Sequence, residues 1–224
     1  MKTFKSEYGI IWDMDGVLAD TGDFHYQANQ RFFDERGIPF NRDMFNASFG
    51  LNNRALATFV LGGKADEHLV SDLTLIKEVY YRNTAAGKLT LLPGVKHWLT
   101  RARELMLKLA LSTSAPQENL DFLMQETGLR PFFDIIYSAF NEPAKPDPAT
   151  YLAAAGKLGL PAKNCVVIED AIAGVEGAKR GGFKCIAVTT TNPRESLAKA
   201  DLVVDKLTEI EPDILFSLFD TNEK

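Results

Sequence analysis

Short apolar runs recur along the chain at 8–12 ("YGIIW"), 107–111 ("LKLAL"), 134–138 ("DIIYS"), 165–169 ("CVVIE"), 184–188 ("KCIAV") and 201–204 ("DLVV"). Each is of strand length and apolar at successive positions, so both of its faces must be covered. The stretches between them, "HWLTRARELM", "PQENLDFLMQETG", "DPATYLAAAGKLG" and "AIAGVEGAKRGG", carry helical spacing, and several end on a glycine suited to stopping a helix. Strands alternating with helices in this way predict an α/β fold, a doubly wound, Rossmann-like parallel sheet with helices on both faces.

One long segment breaks the alternation. Residues 21–89 read as successive helices ("FHYQANQRFFDERG", "NRALATFVLGG", "DEHLVSDLTLIKEVYYRNTAAG") with no strand between them. The expectation is therefore a core domain formed by 1–20 and 90–224, and a small helical domain, 21–89, inserted after the first strand, with "LLPG" at 91–94 marking the return. No solenoid repeat is present, and the polar tail "FDTNEK" is expected to fray.

Charge and cysteine usage narrow the class. A net charge of −5 and a pI near 5.3 leave no basic surface for a nucleic-acid backbone. The two cysteines, Cys165 and Cys185, each lie inside an apolar run and form neither a disulfide framework nor a metal cluster. No run approaches the roughly 18 apolar residues of a membrane span, and the first apolar stretch stops at Asp13, too early for a signal peptide. A cytoplasmic protein without a membrane partner is expected.

In a doubly wound sheet, ligands bind beyond the carboxyl ends of the strands. The first run ends on Asp13 and Asp15, followed by Gly16; the second ends on Ser112-Thr113-Ser114; Lys145 follows the third; the fourth ends on Glu169-Asp170. Acids converging from two strands repel unless a cation neutralises them, and Mg²⁺ prefers such oxygen ligands. Asp13 is then placed to act as a nucleophile that accepts a phosphoryl group, and Asp15 as general acid and base. Thr113, Ser114 and Lys145 would hold the phosphoryl oxygens. Taken singly, each motif has a plainer reading: a turn, a helix cap, a solvated lysine, acids at a helix N-terminus. Four such coincidences in order, all at strand ends, favour the chemical reading.

The ordered set "DMDGVLADT", "LALSTSAP", the lysine of "KPDPATY" and "VIEDAIAGVEGAKRGGF" resembles the haloacid dehalogenase superfamily of phosphotransferases along nearly the whole chain. The helical insert resembles the cap of the branch that includes β-phosphoglucomutase and many sugar-phosphate phosphatases. The resemblance implies Asp13 as nucleophile and Asp15 as acid/base. It also implies Mg²⁺ on the Asp13 carboxylate, the Asp15 backbone carbonyl and Asp170, with Glu169 beside it. Trp12 stands where phenylalanine is usual.

In the insert, His25 matches a histidine common near the hinge of this branch, and Arg54 falls near a substrate-contacting arginine of the mutase. Lys77 is a further candidate for pointing a charge into the cleft, against the alternative of a solvated helix face. The expected activity is a Mg²⁺-dependent phosphatase acting on a small phosphate monoester, a sugar phosphate for preference, through an aspartyl-phosphate, as a monomer or weak homo-oligomer. The alternatives are a β-phosphoglucomutase-type phosphotransferase and a non-catalytic, phospho-accepting binding module.

Overall fold

A computed structural model describes residues 7–48 and 51–219. Six strands, β1 (Gly9–Trp12), β2 (Lys108–Thr113), β3 (Ile135–Ser138), β4 (Cys165–Glu169), β5 (Lys184–Val188) and β6 (Leu202–Val204), form one sheet in the order β3-β2-β1-β4-β5-β6. Every neighbouring pair is parallel; Ile11, for example, pairs with Ala110 on one side and Val167 on the other. This is the doubly wound α/β sheet read from the sequence, and each apolar run falls on a strand to within two residues.

The two-faced apolar pattern resolves into two cores. On β1, Ile10 and Trp12 join one cluster while Ile11 joins the other, because successive side chains leave a strand on opposite sides. The first cluster packs against α6 (Val95–Glu104), α7 (Gln117–Thr127) and α10 (Pro212–Leu218); the second packs against α8 (Ala149–Leu158) and α9 (Ile172–Arg180). Gly128 and Gly159 end α7 and α8 in the left-handed conformation, the stops expected of them. Both cysteines are free and buried in the second core.

Between β1 and β2 lie α1 (Gly22–Asp34), α2 (Arg42–Ser48), α3 (Asn53–Leu61), α4 (Glu67–Asp72) and α5 (Glu78–Ala85), with no strand among the described residues of this stretch. They carry an apolar cluster of their own, centred on Phe32, Phe33, Phe40, Phe45, Leu56 and Leu73. The seven-residue α2 was not anticipated: its sequence RDMFNAS buries only Phe45 and Ser48, too few positions to display a helical period. The final predicted helix also differs in detail. A π-helical turn, Leu73–Lys77, joins α4 to α5 where a continuous α-helix was expected. The polar tail at 220–224 lies outside the described residues, as do residues 1–6. Among the described residues no helix is long and apolar enough to cross a membrane.

Candidate active site

The sheet order reverses at β1, whose neighbours β2 and β4 lead on to opposite edges. The crevice at such a point is where an open α/β sheet accepts ligands. Directly after β1, the Asp13 N–H donates to the Ile168 carbonyl at 3.0 Å, so the chain stays in the sheet for one more residue. It then turns: the Gly16 N–H donates to Ala19 O and the Leu18 N–H to Met14 O. Gly16 has a φ of 77°, and a Cβ there would collide with the Asp170 side chain. Glycine is required both for that dihedral and for the close approach of two acidic loops.

The turn sends Asp13 and Asp15 to different surroundings. Asp13 Oδ1 accepts from Lys145 Nζ at 2.6 Å, and the same ammonium donates to Glu169 Oε1 at 2.5 Å. Asp15 Oδ1 instead accepts from the Thr21 hydroxyl at 2.7 Å and lies 3.4 Å from His25 Nε2. The His25 ring stacks on Tyr81, with centroids 3.9 Å apart and planes within 1°.

Glu169 is wholly buried and its four lone-pair positions are taken. Oε1 accepts from Lys145 and from the Tyr151 hydroxyl at 2.6 Å, while Oε2 accepts from the Asp170 and Ala171 N–H groups, each at 2.8 Å. A Cβ on Gly174, in the first turn of α9, would overlap this carboxylate. Asp170 receives the Thr191 hydroxyl on Oδ2 and the Asn192 amide on its backbone carbonyl.

The charges are poorly balanced. Carboxylate oxygens of Asp13, Glu169 and Asp170 lie within 4.8 Å of one another, and Lys145 is the one ammonium that meets them among the described residues. Burial drives the Asp13 carboxyl up to about 7 despite the pull of Lys145, with Glu169 adding to the rise. Burial, reinforced by Glu169 and Asp13, holds Asp170 well above the usual carboxylate range. For Glu169 burial also acts upward, but Lys145, Tyr151 and the Ala171 N–H outweigh it and the net direction is down. Asp15 is likewise lowered, its burial outweighed by His25, Thr21 and Lys77. An all-oxygen set of converging acids with unrelieved repulsion suits a hard divalent cation. Asp13 and Asp170 are the members whose oxygens are not already saturated by donors.

Of the residues singled out in the sequence, Asp13, Asp15, His25, Lys77, Thr113, Ser114, Lys145, Glu169 and Asp170 line one cleft. Thr113 Oγ1 accepts from the Ala115 N–H at 3.1 Å, which fixes the loop after β2. Lys77 is no solvated surface residue. The π-helical turn brings it into the cleft, where it is 5% exposed and its Nζ donates to Glu78 Oε1 at 2.5 Å. Arg54 lies elsewhere: its guanidinium is exposed and grips both Glu67 oxygens, at 2.5 and 2.8 Å. The cleft wall at that point is formed by Asn52, which caps α3 through the Ala55 N–H, and by Asn53. Helix geometry separates Arg54 from its neighbour Asn53 by about 100° around the axis, enough to move a side chain from the cleft to solvent.

Several participants escaped the sequence reading. Thr191 and Asn192 follow β5 and were legible by the same strand-end rule. Asn29 lies four residues after His25 on α1, one turn along the same face. Glu78 binds Asn119 at 2.7 Å and thereby ties α5 to α7, whereas Tyr151 gave no sequence signal.

Fold and site together define a phosphatase- or phosphotransferase-type enzyme of the α/β class. The family profile of haloacid dehalogenase-like hydrolases matches residues 10–188, and the chain belongs to that family. The phosphorylated carbohydrates phosphatase of Thermotoga maritima is 28% identical over 197 residues, covering 87% of this chain and 91% of its own. Among solved structures, β-phosphoglucomutase from Clostridium difficile has a TM-score of 0.84 at 25% identity, covering 95% of this chain and 96% of that one. CbbY from Rhodobacter sphaeroides in complex with xylulose-(1,5)bisphosphate has a TM-score of 0.79 at 25% identity, covering 90% and 95%.

Proposed function

We propose that this enzyme is a Mg²⁺-dependent phosphatase that hydrolyses a small sugar-phosphate-type monoester through phosphorylated Asp13. The carrying observation is the division of labour between two carboxylates two residues apart, one facing Lys145 and the acidic cluster, the other facing Thr21 and His25. Asp13 and Asp170, with the Asp15 backbone carbonyl, would hold the cation, and Glu169 would stand beside it. Bound there, Mg²⁺ would neutralise charge on the phosphoryl oxygens and on the cluster itself.

In the first half-reaction an Asp13 carboxylate oxygen attacks phosphorus, the phosphorus–ester oxygen bond breaks, and the leaving alkoxide takes a proton from Asp15. In the second, water attacks the phosphoryl group, Asp15 takes its proton, and the bond to Asp13 breaks to release phosphate. Asp15 favours its charged form in the resting site, as a base should, and takes up a proton before the acid step. Lys145, Thr113 and Ser114 would steady the transferring group. Residues 21–89 would act as a cap over a core of 1–20 and 90–224, in a cytoplasmic monomer or weak homo-oligomer.

The likeness to β-phosphoglucomutase keeps a mutase as the second reading. A mutase passes the phosphoryl group to an acceptor that already carries one, so its cleft must hold a bisphosphate. The paired state of Lys77 favours hydrolysis over that outcome. Phosphate release would be followed with Mg²⁺ and with chelator across sugar phosphates, alongside glucose 1-phosphate to glucose 6-phosphate conversion. Metal-dependent, multiple-turnover release that is lost in Asp13→Asn is expected. Interconversion with little release would establish the mutase, and a single stable phosphorylation would indicate a binding module.

A further inference from the structure

Beyond the phosphoryl-transfer centre, the cleft is walled by the insert. The lysines and arginines that line it among the described residues are Lys145 and Lys77. Lys145 is held by Asp13 and Glu169. Lys77 is neutralised by Glu78, in a pair whose side chains are 6% and 5% exposed. Glu78 is fixed in turn, its Oε2 accepting from Asn119 and its Oε1 also from Asn53 at 3.3 Å. Phe49 and Gly50, which lie outside the described residues, carry no charge. The nearby Arg54 is turned outward onto Glu67.

Apart from His25 beside Asp15, what remains of that wall is uncharged: the polar Asn29, Ser48, Asn52 and Asn53 and the apolar Leu51 and Leu56. Asn29 is 5% exposed, and its Oδ1 is buried with no hydrogen-bond partner among the described residues. An orphaned amide oxygen in a cleft wall is a vacancy for a donor, since leaving a buried acceptor unpaired is costly. A second phosphate or a carboxylate at this end would find, among the described residues that line the cleft, no lysine or arginine free of a carboxylate partner to offset its charge.

We infer that the cleft selects a substrate carrying a single phosphate on an uncharged, hydroxylated body, with Asn29 accepting a hydrogen bond from one of its hydroxyls. The inference rests on the phosphatase reading and narrows it: related clefts accommodate a bisphosphate, as the Rhodobacter sphaeroides complex does, and this one discriminates against it.

The test compares kcat/KM for fructose 6-phosphate with fructose 1,6-bisphosphate, and for ribulose 5-phosphate with ribulose 1,5-bisphosphate, in saturating Mg²⁺. The monoester of each pair should be favoured by about tenfold or more; equal or better turnover of the bisphosphates overturns the inference. This comparison needs no variant. Glu78→Gln, which keeps the shape and frees the Lys77 charge, should shift the ratio toward the bisphosphate by about tenfold; an unchanged ratio would refute the charge assignment. Asn29→Ala should lower the ratio of sugar-phosphate to p-nitrophenyl phosphate turnover, because the phenyl ester has no hydroxyl to read; an unaltered ratio removes Asn29 from the argument. Failure to hydrolyse any ester, p-nitrophenyl phosphate included, strikes the phosphatase reading itself.

Discussion

Replacing Asp13 by Asn should make the metal-free protein more stable, by an amount that grows with pH. Asp13 has a folded-state pKa of about 7 against a reference of 3.8, because burial outweighs the pull of Lys145. The unfolded chain therefore ionises this group near pH 4 while the folded chain holds its proton, and wild-type stability drains away as pH rises through that window. At about 1.36 kcal/mol for each of roughly three pH units, the cost reaches about 4 kcal/mol once the pH exceeds 7. Asparagine mimics the neutral acid and escapes the cost. Loss of the Lys145 ion pair is already contained in the net value, so about 4 kcal/mol is the ceiling. At pH 5 the corresponding advantage is less than half of that ceiling, leaving about 2–3 kcal/mol to develop between pH 5 and 8. For a domain of this size that amounts to roughly 5–10 °C in Tm. Calorimetry in chelator at pH 5, 6, 7 and 8 would read it directly, and saturating Mg²⁺ should shrink or invert the gap by stabilising the ionised wild type. A variant less stable than wild type at pH 8, or a gap that does not change with pH, would refute the account of Asp13 as a strained, buried acid awaiting a cation.

Gly174→Ala should disrupt the site without touching a reacting group, since its methyl overlaps the Glu169 carboxylate; a loss of about 1–3 kcal/mol in denaturant melts together with reduced turnover is expected. Asn119→Leu removes two contacts between α7 and α5, leaving Glu78 and Arg82 each short of a partner. Hydrogen exchange in α5 should accelerate, and stability should fall by about 1–3 kcal/mol. Burial pushes the Cys165 thiol up to about 12 and Cys185 higher still. Neither should react with Ellman's reagent in the native protein at pH 8, and both should react on denaturation. Because these thiols ionise near pH 9 only in the unfolded chain, stability should also decline above that pH.

The parts of this molecule that were legible in the sequence are those written as local patterns. Strands buried on both faces spell near-continuous apolar runs, so β4 and β5 match the expected 165–169 and 184–188 to the residue. The strand-end rule then located the acids, Lys145 and the hydroxyls together. Roles that depend on where a helix points were harder to see. Arg54 and Asn53 differ by one position and by the difference between solvent and cleft, and only the start of α3, set by the Asn52 cap, decides which faces which. Lys77 was singled out as a candidate for the cleft, but its pairing with Glu78 could not be read, because the contacts that fix Glu78 come from Asn53 and Asn119, distant in sequence. Tyr151 was invisible for the same reason: its hydroxyl meets Glu169 across the layer between α8 and β4.

The π-helical turn at Leu73–Lys77 has an evolutionary consequence. Such a turn holds one residue more than the α-helix around it, so deleting a single codon within it would restore regular winding. Everything on one side of the deletion would rotate by about 100° relative to the other. Leu73 would be carried away from its phenylalanine neighbours, or Lys77 and Glu78 away from the cleft, while α4 and α5 themselves stayed helical. One in-frame deletion could thus rewrite what residues 21–89 present to the cleft and leave Asp13, Asp15, Lys145, Glu169 and Asp170 as they are, a route by which relatives sharing one fold come to differ in what they act on.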